Sequence, residues 1–69
     1  MVLFEYDKEV DAAYIYLKYP IKEGEAKKTI ALNNNIILDF DKEQKLIGVE
    51  VLSASRVLSR KALSEAKAV

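Results

Sequence analysis

Histidine and cysteine are both absent from this 69-residue chain. Without histidine there is no imidazole to move protons near neutral pH, and no histidine-ligated zinc or iron. Without cysteine there are no disulfides and no thiolate metal sites. That usage fits a reducing cytoplasm, the expected location. Any catalysis falls to Asp, Glu, Lys, Tyr, Ser or Arg. Long apolar runs are missing too: nothing approaches the roughly 18 residues of a membrane span. The N-terminal MVLFEYDKEVD is acidic, unlike a signal peptide.

Net charge is also lacking, with 11 basic and 11 acidic side chains, but the charges are unevenly placed. Residues 1–32 carry a net −1, residues 33–52 a net −2 and residues 53–69 a net +3. A basic tail of this size is a weak signal for nucleic acid, which needs a concentrated basic surface. Lys27, Lys28, Arg56, Arg60 and Lys61 have no aromatics interleaved with them, so stacking on single strands is unsupported and a solvated face is the better reading.

What is present is apolar residue, at 51% of the chain. One domain over residues 1–69 fits this length, and a chain so short buries only about 60% of its unfolded surface. High apolar content on a small body points to self-association, so a homodimer or a permanent protein partner is expected.

The pattern along the chain is mostly of period two. VLFEY (residues 2–6) reads as a strand and DKEVD (residues 7–11) as a turn. AAYIYLKY (residues 12–19) alternates, with Ala13, Ile15 and Leu17 on one face and Tyr14, Tyr16 and Lys18 on the other. Pro20 lacks the donor a ladder needs and stops that strand, and Gly24 lies in the loop beyond it. Residues 27–32 form a third strand, NNN (residues 33–35) a turn, and residues 36–41 and 46–52 a hairpin around KEQK. After Leu52 the period lengthens. Ser53 and Ser55 are candidate N-caps, and Ala54, Val57, Leu58, Ala62, Ala66 and Val69 form a helical stripe. Leu63 falls outside it, by a bend near Arg60 or by touching a partner. The expected fold is α+β: an antiparallel meander of about five strands, with one C-terminal helix packed on one face.

YDKEVDAAYIYL and LDFDKEQKLIGVEVLSAS carry a family pattern. It reads Tyr-Asp-x-x-x-Asp-x-x-Tyr-Ile, then Asp-x-Asp-x-x-x-x-Leu-x-Gly-x-Glu-x-Leu-x-Ala-Ser. The positions are Tyr6, Asp7, Asp11, Tyr14, Ile15, Asp39, Asp41, Leu46, Gly48, Glu50, Leu52, Ala54 and Ser55. This resembles the prokaryotic domain-of-unknown-function family number twenty-two eighty-three, with a family-like core over residues 3–58 and a helical extension over residues 59–69. Many relatives have glycine where this chain has Gln44. The resemblance implies a small antiparallel sheet with a helix and no assigned activity. Some members resemble the antidote half of toxin–antitoxin pairs.

Asp39 and Asp41 share a strand face, whereas Glu50 depends on hairpin register. A symmetric turn sets Asp39 opposite Gly48 and Ile37 opposite Glu50, and puts all three acids on one face. A bulge at Gln44 sets Phe40 opposite Leu46, and Glu50 then leaves the aspartates. The apolar alternation favours the symmetric turn. Clustered carboxylates suit Mg²⁺ or Ca²⁺, but no loop of alternating acids around a glycine supports such a site. Solubility and hydrogen bonds to turn backbone or lysine are the commoner use of such acids. Tyr14 and Tyr16 form either a recognition patch or cross-strand packing. No catalytic residue, metal ligand or cofactor is assigned. The candidates for a functional patch are Asp39, Asp41, Glu50, Tyr14 and Tyr16. A non-catalytic protein-interaction module, of which a toxin's antidote is one form, stands ahead of the alternative, a carboxylate-based divalent-cation-binding protein or enzyme.

Overall fold

The computed structural model describes residues 2–69. Its strands are β1 (Leu3–Asp7), β2 (Ala12–Tyr16), β3 (Lys28–Ala31), β4 (Ile36–Phe40), β5 (Leu46–Leu52) and β6 (Lys67–Ala68). Two short helices, α1 (Ala54–Val57) and α2 (Arg60–Ser64), lie between β5 and β6. The strands form one sheet in the order β3-β4-β5-β2-β1-β6. The fold is α+β, but it departs from the expected meander in three ways.

First, β2 pairs with β5 rather than β3. Residues 17–27, with Pro20 and Gly24, carry the chain from the centre of the sheet to its far edge. The sheet is therefore a β1–β2 hairpin docked on a β3–β4–β5 meander. Ala13 and Ile15 stand beside Val51 and Val49 at the seam, so the most apolar alternating faces meet in the middle. Second, β2 ends at Tyr16, short of Pro20. The amides of Leu17 and Lys18 both turn to the Ile47 carbonyl, at 2.9 and 3.3 Å. This convergence on one acceptor ends the regular ladder.

Third, the C-terminal segment is two helices and a strand rather than one helix. Leu58 (φ −101°, ψ 148°) and Ser59 (φ −65°, ψ 156°) are extended and break the helix. Ser59 starts α2 by accepting a hydrogen bond from the Ala62 amide, so the effective cap is neither Ser53 nor Ser55. The break also redirects Leu63, which packs on the core instead of lying off the stripe. Beyond α2 the extension closes as β6, a sixth strand parallel to β1, so the sheet is mixed.

The core is thin. Ala13, Ile47, Val51 and Ala54 are the buried apolar residues among those described. Phe4, Tyr6, Val49, Leu58 and Leu63 pack partly buried around Ala13, Val51 and Ala54. Strand alternation places Phe4, Tyr6, Ala13, Val49 and Val51 on one side of the sheet, against the helical segment. The opposite side carries no helix. With so little buried apolar surface, the polar ties between strands contribute a large share of what specifies the fold.

Candidate functional site

On the uncovered side, the ladder aligns side chains in rows. One runs Glu5, Tyr14, Glu50, Ile37; the next runs Tyr16, Gly48, Asp39, Thr29. Tyr14 crosses between them. Its phenol donates to Asp39 Oδ2 at 2.6 Å, while Thr29 Oγ1 donates to Asp39 Oδ1 at 2.8 Å. One aspartate thus ties β2 to β4 and β4 to β3, over the top of β5. Gly48 makes the crossing possible. A Cβ there would lie 2.1 Å from Tyr14 Oη and 2.7 Å from its Cζ. The glycine of the Gly-x-Glu pattern is therefore the floor under a tyrosine ring.

The Tyr14 and Tyr16 rings are 4.6 Å apart at 52°, and Tyr16 meets Tyr19 edge-on at 5.1 Å. These separations lie in the range of favourable aromatic pairs. Burial, and then the Asp39 carboxylate it binds, raise the Tyr14 phenol above the ordinary tyrosine range. Burial also raises Tyr16, with the Glu5 charge adding to it. Both phenols are neutral donors through the physiological range.

The hairpin joining β4 and β5 combines features of both registers. Asp39 stands opposite Gly48 and Ile37 opposite Glu50, as in the symmetric pairing. Yet Phe40 stands opposite Leu46, and Gln44 holds φ +63°, as in the bulged turn. The register shifts between Asp39 and Phe40, and Ile47 takes up the offset. The expectation that a bulged turn removes Glu50 from the face of Asp39 is thereby corrected: a second irregularity restores the phase.

Asp41 is drawn off into the turn. Its Oδ1 accepts from the amides of Glu43 and Lys45, both at 2.9 Å, and its own amide donates to the Lys45 carbonyl at 2.9 Å. The three acids therefore do not act as one group. Among the described residues no three acidic side chains come together in a way that could hold a metal ion.

A second tie joins the β1–β2 turn to α1. Asp11 Oδ1 accepts from Tyr6 Oη at 2.6 Å and from the Ser55 amide at 3.0 Å, and its Oδ2 accepts from Ser55 Oγ at 2.7 Å. The Asp11 carbonyl accepts from the Ala54 amide at 2.9 Å. Asp11 thus caps a helix more than forty positions away in sequence, doing what Ser53 does not. Bonds from Tyr6 and then Ser55 hold its carboxyl below the usual range. Asp7 Oδ1 accepts from the Glu9 amide at 3.0 Å, an ordinary turn contact.

Tyr6, Tyr14, Asp11, Asp39 and Asp41 are engaged in structural bonds. Glu5, Asp7 and Glu50 are in no ion pair among the described residues. Glu5, Asp7 and Glu50, with Val10, Ala12, Tyr14 and Val69, line a shallow depression of about 190 Å³. Sequence reasoning did not single out Glu5, Asp7 or Thr29 for this face. The period-two placement of Glu5 opposite Tyr14 was available in principle, but it requires the β1–β2 register. Val69 reaches the depression only through β6, which has no clear sequence signal.

A family model described as "Protein of unknown function (DUF2283)" matches residues 3–55. An uncharacterized protein of Methanocaldococcus jannaschii is 37% identical over 59 residues, which are 84% of this chain and 46% of that protein. The chain therefore spans about half the length of this curated relative. No solved structure matches.

Proposed function

Because the chain belongs to the DUF2283 family of proteins of unknown function, we propose that it is a non-catalytic interaction module that binds another protein through its open sheet face. The observation that supports this reading is the division of labour between side chains. Asp11, Asp39 and Asp41 each accept at least two hydrogen bonds from donors that hold turns and strands together. The same face presents Tyr14 and Tyr16 with fixed neighbours, and tyrosine is enriched where proteins meet. A rigid aromatic loses little conformational entropy when a partner covers it.

The antidote of a small toxin is one form of such a module. Co-expression with the product of the neighbouring gene, followed by pull-down, tests it. Co-purification with rescue of growth is the expected result; neither co-purification nor rescue removes this form.

A homodimer is the second reading, and the β3 edge favours it. All four β3 residues are exposed, and Ile30 and the adjoining Leu32 are 39% and 63% exposed. An uncovered edge strand offers unpaired backbone groups to a second copy. Light scattering at micromolar concentration should return twice the chain mass; a clean monomer defeats this reading.

A further inference from the structure

We infer that the open sheet face takes a basic polypeptide segment, one that alternates Arg or Lys with apolar residues; this rests on the interaction reading above. Glu5, Asp7, Glu50 and Asp39 all project from this face, and the pairing of Glu5 with Lys67 puts a single lysine at its β6 edge. Among the described residues Lys18–Glu25 is the one ion pair, so Glu5, Asp7 and Glu50 form none there. The chain is neutral overall, but four of its eleven acids lie on this face while Arg56, Arg60 and Lys61 sit on the helical segment.

The shape of the face narrows the chemistry. The depression between β1, β2 and β5 has an apolar lining from Ala12, Val10 and Val69, and carboxylates from Glu5, Asp7 and Glu50. Val10 and Val69 are 68% and 65% exposed, so this apolar surface is open to a visitor. A Lys or Arg side chain has matching halves, with an aliphatic stem for apolar surface and a charged head for carboxylates. The Tyr14 ring, fixed by Asp39, adds a face that attracts a cation. A bare metal ion fits worse, because no acidic trio converges.

A second copy using this same face fits worse as well. Two-fold pairing would oppose Glu5, Asp7 and Glu50 of one molecule to the same acids of the other, a like-charge contact that disfavours association. A basic partner has complementary charge.

The test is an amide chemical-shift titration of the ¹⁵N-labelled full chain with three synthetic peptides: alternating Arg–Val, Gln–Val and Glu–Val. The Arg–Val peptide should shift the amides of Glu5, Asp7, Tyr14 and Glu50, and added salt should weaken it. The double variant Glu5→Gln/Glu50→Gln should weaken it by about tenfold or more. Circular dichroism of that variant checks that the fold is kept. Equal binding of Gln–Val or Glu–Val overturns the proposed chemistry while leaving an interaction face. Shifts confined to the Asp41–Glu43 turn, or an unaffected double variant, also overturn it. Concentration-dependent shifts of the same amides without peptide would assign the face to a second copy's basic side and overturn a separate partner. Silence of the face to all three peptides overturns the inference; joined to a failed pull-down, it removes the interaction reading too.

Discussion

Gly48→Ala places a methyl group where the Tyr14 phenol now lies. The new Cβ would stand 2.1 Å from Oη, 2.7 Å from Cζ and 2.8 Å from Cε1, and such contacts cannot persist. The tyrosine must swing away, because it is the movable party and the strand is fixed by partners on both sides. Swinging breaks its 2.6 Å bond to Asp39, a hydrogen bond to a charged group worth about 1.5–3 kcal/mol. Alanine offsets part of this, since glycine within a strand costs roughly 0.5–1 kcal/mol relative to alanine. The net expectation is a loss of about 1–2 kcal/mol. For a domain of this size each kcal/mol moves the melting temperature by roughly 4–8 °C.

The sign should reverse when the ring is gone. In a Tyr14→Ala background the space over Gly48 is empty, so Gly48→Ala should stabilise by about 0.5–1 kcal/mol. Urea unfolding of the four proteins in the cycle measures the coupling directly, at about 2 kcal/mol. Equal effects of Gly48→Ala in both backgrounds would refute the claim that the glycine exists to seat the ring.

Four further outcomes follow from the same contacts. The lowered Asp11 pKa gives a contribution that is present above the unfolded carboxyl range of about 3.9 and is lost as pH falls through the lower folded value. Asp11→Asn should flatten that part of the acid limb in a stability-versus-pH series; an unchanged limb contradicts the tie to Ser55. The raised Tyr14 pKa works in the opposite sense. Its contribution is present below the ordinary phenol value of about 10 and is lost as pH rises toward the folded value, so Tyr14→Phe should remove one late step from a phenolate absorbance titration. Gln44→Gly, which relieves a left-handed residue at φ +63°, should stabilise by roughly 0.5–1 kcal/mol in chemical denaturation. Asn35→Ala removes the 3.1 Å bond from Asn35 Nδ2 to the Leu52 carbonyl and should cost about 1 kcal/mol in the same assay.

Period-two alternation made the five principal strands readable, along with the shared faces of Ala13 with Ile15 and Tyr14 with Tyr16, because strand pleating maps directly onto residue types. The order of the strands was not readable. Whether β2 pairs with β3 or β5 depends on where residues 17–27 travel, and a Pro/Gly-bearing loop does not encode a destination. Leu63, off the helical stripe, pointed to a bend near Arg60, and the chain breaks there at Leu58–Ser59; that a second helix restarts at Ser59 was not readable. β6 is two residues long, too short for any periodicity. At the candidate site, the sharing of one face by Asp39 and Glu50 was legible from alternation. The Ile47 irregularity that preserves it beside a bulged turn was not. The Asp11–Ser55 tie joins residues 44 positions apart in sequence, and no local pattern announces such a contact; only the recurrence of both residues in one family pattern hinted at it.

The central claim is that Asp11 and Asp39 hold the fold together, whereas Glu5 and Glu50 are free to meet a partner. Urea unfolding of Asp39→Ala against Glu50→Ala tests it most directly. Asp39 takes hydrogen bonds from Tyr14 and Thr29, so its removal should cost about 2–3 kcal/mol. Glu50 is in no ion pair among the described residues, and its removal should stay within about 0.5 kcal/mol of the parent. An Asp39→Ala protein as stable as the parent, or a Glu50→Ala protein equally damaged, would contradict the account.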